Sequence, residues 1–370
     1  MRVLILSCNT GGGHNACAEA IQEAFLSEGH PCDIADSLNF SSDKLSKFMS
    51  WGHTAMYRRA PKLFDAGYGF AEKHPGMLAD DAAVYKLLTG GTERLCAYIQ
   101  QGKYDTVICT HVFSGLLLRQ TMKEFSMTLK TAFVGTDYTC SPGTAKSMLD
   151  RYFIPAESLK DEFTEQGVPP EKIILSGIPV RKEFYEKRDK AEAKQILGID
   201  PDHMHLLMMC GSMGCGPLRK LTELLNAGMD ETMELSIICG TNEKLYKELS
   251  AEYGDRPYIH IHGFQKNISL FMDSADLYLT KPGGLSTTEA AVKNLPMVFI
   301  DAVAGCEEYN LNYFVFLGGA ATADSTEDLA RLCLDLLKDK AGLSQMEQAL
   351  QKLPHANAAQ RICRTMQDDE

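Results

Sequence analysis

Leu277-Tyr278-Leu279-Thr280-Lys281-Pro282-Gly283-Gly284-Leu285-Ser286-Thr287-Thr288-Glu289-Ala290-Ala291 reads as a strand, a glycine turn and a helix in immediate succession. The first four residues form an uncharged run that suits a buried strand. The Gly283-Gly284 pair lets the backbone turn tightly and lets a ligand come close. The helix that follows is expected to carry hydroxyls and one acid, Glu289, in its first turn. A strand feeding a helix through such a turn is the repeating unit of a parallel sheet with crossover helices.

The same unit recurs outward in both directions. In the second half, short apolar runs at 205–210, 235–239, 258–262 and 297–300 each precede a helix-like segment. In the first half the runs lie at 2–7, 106–110, 131–134, 151–155 and 172–176. Between the halves stands Ser176-Gly177-Ile178-Pro179-Val180-Arg181, followed by a charged stretch, which suits a linker. The expected fold is therefore α/β, with two Rossmann-like domains and ligands at the carboxyl ends of the strands. The expected divisions are 1–176, a linker at 177–195, a second domain at 196–343, and C-terminal helices at 344–370 returning to the first domain.

Composition narrows the class. The chain has 370 residues, 45% hydrophobic and 23% charged, the balance of a folded soluble protein with room for two cores. No stretch approaches the roughly 20 apolar residues of a membrane span. Met1-Arg2-Val3-Leu4-Ile5-Leu6-Ser7 runs straight into polar and glycine residues, so it reads as a first strand and not as a secretion signal. The 12 cysteines are scattered without a C-x-x-C pair, as expected of reduced thiols in a cytoplasmic protein. A net charge of −12 argues against nucleic acid as a partner.

Three glycine loops carry the candidate chemistry. The first strand ends in Asn9-Thr10-Gly11-Gly12-Gly13-His14 and opens a helix. Neither the dinucleotide spacing nor the P-loop pattern is met there. His14 has the titration range of a general base, although its local sequence alone reads more readily as an ordinary capping or hydrogen-bonding histidine. The second loop is Gly211-Ser212-Met213-Gly214-Cys215-Gly216, which offers backbone N–H groups and a hydroxyl to a phosphate. In the third, Glu289 either complements the helix dipole or accepts hydrogen bonds from ribose hydroxyls. Gly305-Cys306-Glu307-Glu308-Tyr309-Asn310 then places polar residues where a sugar's hydroxyls would be read.

Taken in order, Gly11 to His14, Thr136-Asp137-Tyr138, Gly177 to Arg181, Lys281 to Glu289 and Glu307 to Asn310 resemble the monogalactosyldiacylglycerol synthase and processive diacylglycerol glucosyltransferase family. More distantly they resemble the N-acetylglucosaminyltransferase that makes the peptidoglycan lipid intermediate. The resemblance covers nearly the whole chain, and Thr280 to Ser286 with Glu289 is its most specific part. It implies the GT-B fold of family 28-like glycosyltransferases, two Rossmann-like domains facing a central cleft. It further implies an inverting transfer of a hexose from a UDP-sugar to a membrane lipid hydroxyl. By position, it implies Glu289 at the ribose and Phe264 at the uracil. Ser212 and Arg181 fall near the pyrophosphate, with Gly13, Gly211, Gly283, Gly284 and Ser286 lining the donor. Glu307 and Asn310 match the sugar-reading segment, and His14 and Asp137 are the candidates for assisting the acceptor hydroxyl. No cofactor or metal is expected, since loop dipoles and Arg181 can stabilise the departing UDP. Cys306 stands where the family often has Gln, and Thr139-Cys140-Ser141-Pro142-Gly143 replaces a His or aromatic run on the acceptor side.

Residues 40–77 stand apart from the acidic whole, with six basic residues against three acids, interleaved with aromatics that include Trp51, the only tryptophan. Such a stretch suits either an amphipathic excursion packed on the protein or an interfacial segment on an anionic membrane. The family inserts a segment here, which favours the membrane and makes Trp51, Arg58, Arg59 and Lys62 candidate membrane or acceptor contacts. The expected location is cytoplasmic, peripheral at the inner face of the cell membrane. The rival readings are a transferase with a soluble acceptor, a UDP-sugar-binding regulatory protein without activity, and a UDP-sugar epimerase. Asp200-Pro201-Asp202 is read as a solvated turn, and His260 and His262 as ordinary strand residues lacking a third metal ligand.

Overall fold

The computed structural model describes residues 1–9, 12–41, 82–211, 214, 216–300, 305–354 and 356–368. These residues form two six-stranded, all-parallel sheets. The first contains β1 (Val3–Ser7), β2 (Cys32–Asp36), β3 (Thr106–Cys109), β4 (Lys130–Val134), β5 (Arg151–Ile154) and β6 (Ile173–Leu175), in the order β2-β1-β3-β4-β5-β6. The second contains β7 (Met204–Met209), β8 (Met233–Ile238), β9 (Ile259–His262), β10 (Leu277–Thr280), β11 (Met297–Phe299) and β12 (Ala320–Thr322), in the order β12-β11-β10-β7-β8-β9.

Each sheet begins at an interior strand, builds one way, and then jumps back across it. The jump falls between β1 and β3 in one sheet and between β7 and β10 in the other. At such a switch point the loops on either side diverge and leave a crevice at the carboxyl ends of the two strands. The interior strands read as continuous apolar runs because helices cover both faces. All five residues of β1 and all six of β8 are buried.

Two edge strands escaped the sequence reading. β2 carries Asp33 and Asp36 and is buried only at Cys32, while β12 is three residues long. An edge strand needs apolar residues on fewer sides, so its pattern is weak.

The described chain divides into two compact units. The first takes in residues 1–182, with 305–309 and 356 onward; the second takes in 183–300 and 310–354. The helix Lys340–Leu350 therefore belongs to the second unit, while Ala358–Gln367 belongs to the first and packs against the helix Gly12–Ser27. The second unit's core centres on Leu206, Met208, Leu235, Ile237, Leu277 and Leu279, all fully buried. No helix of the described residues is long and apolar enough to cross a membrane.

Candidate active site

In the first unit, the crevice beside β1 collects His14, Thr110, His111, Thr136 and Asp137. His14 lies in the first turn of the helix Gly12–Ser27. Its entry is held by Ser7, whose hydroxyl donates to Asn15 Oδ1 at 2.7 Å, and by Ser114, which donates to the Ser7 carbonyl at 3.2 Å. His14 Nδ1 lies 2.9 Å from the Thr110 carbonyl oxygen and 3.1 Å from Thr136 Oγ1. A carbonyl can only accept, so Nδ1 carries the proton and Nε2 of the neutral ring presents a lone pair. Burial is the largest influence on this imidazole and lowers its pKa below 6.5; the Asp137 carboxylate and the Thr110 hydrogen bond pull the other way. His14 is therefore neutral near pH 7, the state a base requires.

Asp137 sits among groups that respond to its charge. The Cys306 thiol donates to it, and burial, Asp137 and Glu307 together hold that thiol well above the usual range. Cys306 is thus a protonated donor to Asp137. Cys17, one helical turn beyond His14, is also pushed up by burial and by Asp137. Glu307 belongs to this unit, and Gly13 adjoins His14. Arg181 follows β6, at the other edge of the same sheet.

In the second unit, the loops after β7 and β10 flank the switch point. Gly211, Gly214 and Gly216 all have positive φ, at 65°, 54° and 112°. A Cβ on Gly214 would run into the Cys239 carbonyl, and one on Gly211 would come within 3.9 Å of Lys281 Cε. Ser212 lies outside the described residues. Across the crevice, Gly283 caps the helix Gly284–Lys293 and Gly284 begins it.

The hydroxyls of this helix make local hydrogen bonds. Thr287 and Thr288 donate back to the carbonyls of Gly283 and Gly284, and Ser286 bonds the buried Tyr278 hydroxyl at 2.8 Å. They hold the loop, leaving the opening backbone N–H groups of the helix as the donors for a ligand. Glu289 is the sixth residue of the helix, in its second turn, and is 8% exposed. That corrects its expected first-turn placement and weakens the dipole reading, because the dipole's effect fades beyond the first turn. Asn310 is fully buried and donates to the Pro282 carbonyl at 3.0 Å, which gives it a part in fixing the donor loop. Phe264 follows β9 and is 58% exposed.

Trp51, Arg58, Arg59 and Lys62 lie outside the described residues. Asp200 accepts from the Asp202 amide at 3.0 Å in a solvent-facing turn. His260 and His203 both bond Glu234, at 2.6 and 3.0 Å, and the described residues contain no group of metal-binding spacing. The sequence reading missed Thr110 and His111, and took Thr136 only as part of the Thr136-Asp137-Tyr138 match. The one signal for Thr110 and His111 was position after β3, which acquires meaning only once the strand order is known.

Comparison with known proteins adds to this geometry. Residues 14–180 match the family model of monogalactosyldiacylglycerol synthase, and residues 205–362 match the glycosyltransferase family 28 C-terminal domain. A processive diacylglycerol beta-glucosyltransferase of Staphylococcus epidermidis is 27% identical over 374 residues, covering 99% of this chain and 92% of that protein. One from Staphylococcus carnosus is 28% identical over 278 residues, covering 75% of this chain and 70% of its own. The crystal structure of Acinetobacter baumannii MurG superposes with a TM-score of 0.68 at 13% identity, covering 99% of both chains. That last likeness concerns the fold, which is GT-B.

Proposed function

We propose that this chain, whose residues 14–180 match the family model of monogalactosyldiacylglycerol synthase and whose residues 205–362 match the glycosyltransferase family 28 C-terminal domain, transfers a hexose from a UDP-sugar to a membrane lipid hydroxyl, with inversion. The acceptor is of the diacylglycerol type, as the names of its staphylococcal relatives state for them. The observation that carries the chemistry is the His14 tautomer, since Nδ1 bound to the Thr110 carbonyl leaves Nε2 able to take a proton.

In the proposed step the lipid oxygen attacks the anomeric carbon as its proton passes to His14 Nε2. The bond to UDP breaks on the opposite face, so the configuration inverts. Asp137 stabilises the imidazolium that forms, which agrees with its upward pull on the His14 pKa; Asp137 as the base itself is the alternative. UDP leaves with its charge met by Arg181, Ser212, and the backbone N–H groups near Gly211, Gly283 and Gly284. Glu289 accepts the ribose hydroxyls, Phe264 borders the uracil, Glu307 reads the hexose, and Asn310 acts on the donor through the Pro282 loop it holds. No step calls on a metal or cofactor, and activity should therefore persist in a chelator. Trp51, Arg58, Arg59 and Lys62 hold the protein on the cytoplasmic leaflet, where the acceptor is found.

The test is incubation with a panel of UDP-sugars and mixed vesicles containing diacylglycerol, followed by product analysis and determination of the anomeric configuration. A β-glycolipid from an α-linked donor is expected. Transfer to soluble alcohols with none to lipid would replace the lipid acceptor by a soluble one. Sugar interconversion without transfer would make the protein an epimerase.

A further inference from the structure

We infer that Asn242 is a positioning residue for the diphosphate of UDP, its side-chain amide holding the glycine loop after β7 in the shape that binds phosphate. The inference rests on the reading of residues 211–216 as the loop that meets the donor.

β8 pairs directly with β7, and the turns that leave the two strands run close together. A Cβ on Gly214 would strike the Cys239 carbonyl and come within 3.2 Å of Asn242 Cβ. Gly214 takes a φ of 54° in one turn and Gly240 a φ of 58° in the other. Glycine reaches such angles without strain, but it has no side chain to settle which way its peptide points.

Asn242 supplies that constraint. Its Nδ2 donates to the Gly214 carbonyl at 3.0 Å, and its Oδ1 accepts from the Leu245 amide at 3.1 Å, capping the helix Glu243–Tyr253. An amide N–H only donates and a carbonyl only accepts, so these two partners leave the side chain one orientation. The base is firm as well, since the Asn242 backbone N–H donates to the Cys239 carbonyl at 3.1 Å. A single side chain thus ties the loop after β7 to the helix after β8. A trans peptide points its N–H opposite to its C=O, so anchoring the Gly214 carbonyl also fixes the direction of the donor in that peptide. Donors fixed in advance need no reorganisation when charge develops on the departing UDP. The residue type suits the double task. Serine and aspartate cap helices about as well, but asparagine alone of the three carries an N–H donor separate from its capping oxygen.

Two variants of the full chain separate this task from the cap. Asn242→Ser keeps a capping oxygen, loses the amide donor and adds no charge. Asn242→Asp keeps the cap and sets a second oxygen against the Gly214 carbonyl. Both are expected to unfold at the wild-type temperature and, by calorimetry, to bind UDP roughly 3- to 10-fold more weakly. Uridine, which has no phosphate, should bind each variant as it binds wild type. The ratio of the two affinities is insensitive to any small change in the folded fraction. Wild-type UDP affinity in Asn242→Ser overturns the role. So does a loss confined to Asn242→Asp that fades with added salt, because screening would mark it as charge repulsion. Equal losses of UDP and uridine affinity make Asn242 a merely structural residue and overturn the role too. A wild-type protein that binds UDP no tighter than uridine removes the diphosphate from the glycine loop, so the donor-loop reading itself falls, whatever either variant does.

Discussion

His14 shows how one side chain acquires a role from its surroundings. In the sequence it is a histidine after three glycines, compatible with a base or with an ordinary turn. In the structure the Thr110 carbonyl fixes its tautomer and burial lowers its pKa below 6.5. A base with a lowered pKa stays competent down to that pKa, so the acid limb of kcat/KM should fall below pH 6.5. Asp137→Asn removes the carboxylate that raises the His14 pKa, and should move this limb to still lower pH. His14→Ala should lower turnover by roughly 10²- to 10⁴-fold with UDP affinity little changed. A pH-rate profile with both variants decides the assignment. If Asp137→Asn abolishes turnover and erases the limb while His14→Ala remains active, the base is Asp137.

At the scale of elements, the helix Gly284–Lys293 joins three of the donor candidates in one rigid piece. Its hydroxyls fold back on its own loop and on Tyr278, and in the proposed donor site the backbone amides and Glu289 meet the ligand. Glu289→Ala should weaken UDP binding by roughly 1.5–3 kcal/mol, the scale of hydrogen bonds to a charged group. Calorimetry on a folded variant measures this, and an unchanged affinity would remove Glu289 from the ribose. The aromatic and basic stretch at 40–77 carries the expected membrane contact. Each basic residue near an anionic surface contributes about 1 kcal/mol, so replacing Arg58, Arg59 and Lys62 by Ser should cut vesicle binding roughly a hundredfold at moderate ionic strength. Raising the salt should shrink that difference by screening, whereas Trp51→Ala should weaken binding almost independently of salt. Co-sedimentation with anionic and neutral vesicles at two salt concentrations reads both effects; equal binding by wild type and triple variant would make the stretch ordinary surface or core.

For the whole molecule, pH stability should be governed partly by a histidine remote from either crevice. His205 in β7 is fully buried between the hydroxyls of Ser236 and Ser274, at 2.8 and 3.0 Å. Burial holds its pKa down to about 4 against an ordinary 6.5. The unfolded chain therefore takes up a proton first as pH falls, and the stability contributed by neutral His205 is complete above 6.5 and lost towards 4. Between pH 7 and pH 5 this amounts to about 2 kcal/mol. Urea unfolding at the two pH values should show the loss in wild type and a smaller one in His205→Gln; an equal loss would assign it to other groups. Much else at this scale was legible from the chain alone. The interior strands announced themselves because a strand covered on both faces must be apolar throughout, and the glycine turns because clustered glycines after a strand let the backbone turn tightly, with positive φ at Gly211, Gly214 and Gly216. Those two rules gave the α/β class, ten of the twelve strands, and the loops that bear His14, Gly211 and Glu289. Edge strands β2 and β12 did not show, since an edge imposes little on its residues. The order of strands in each sheet was decided by tertiary packing, and it is that order which sets β3 beside β1 and β10 beside β7. It brought Thr110 and His111 to His14, and the Gly283 turn to Gly211, because residues distant along the chain meet only where strand pairing puts them side by side.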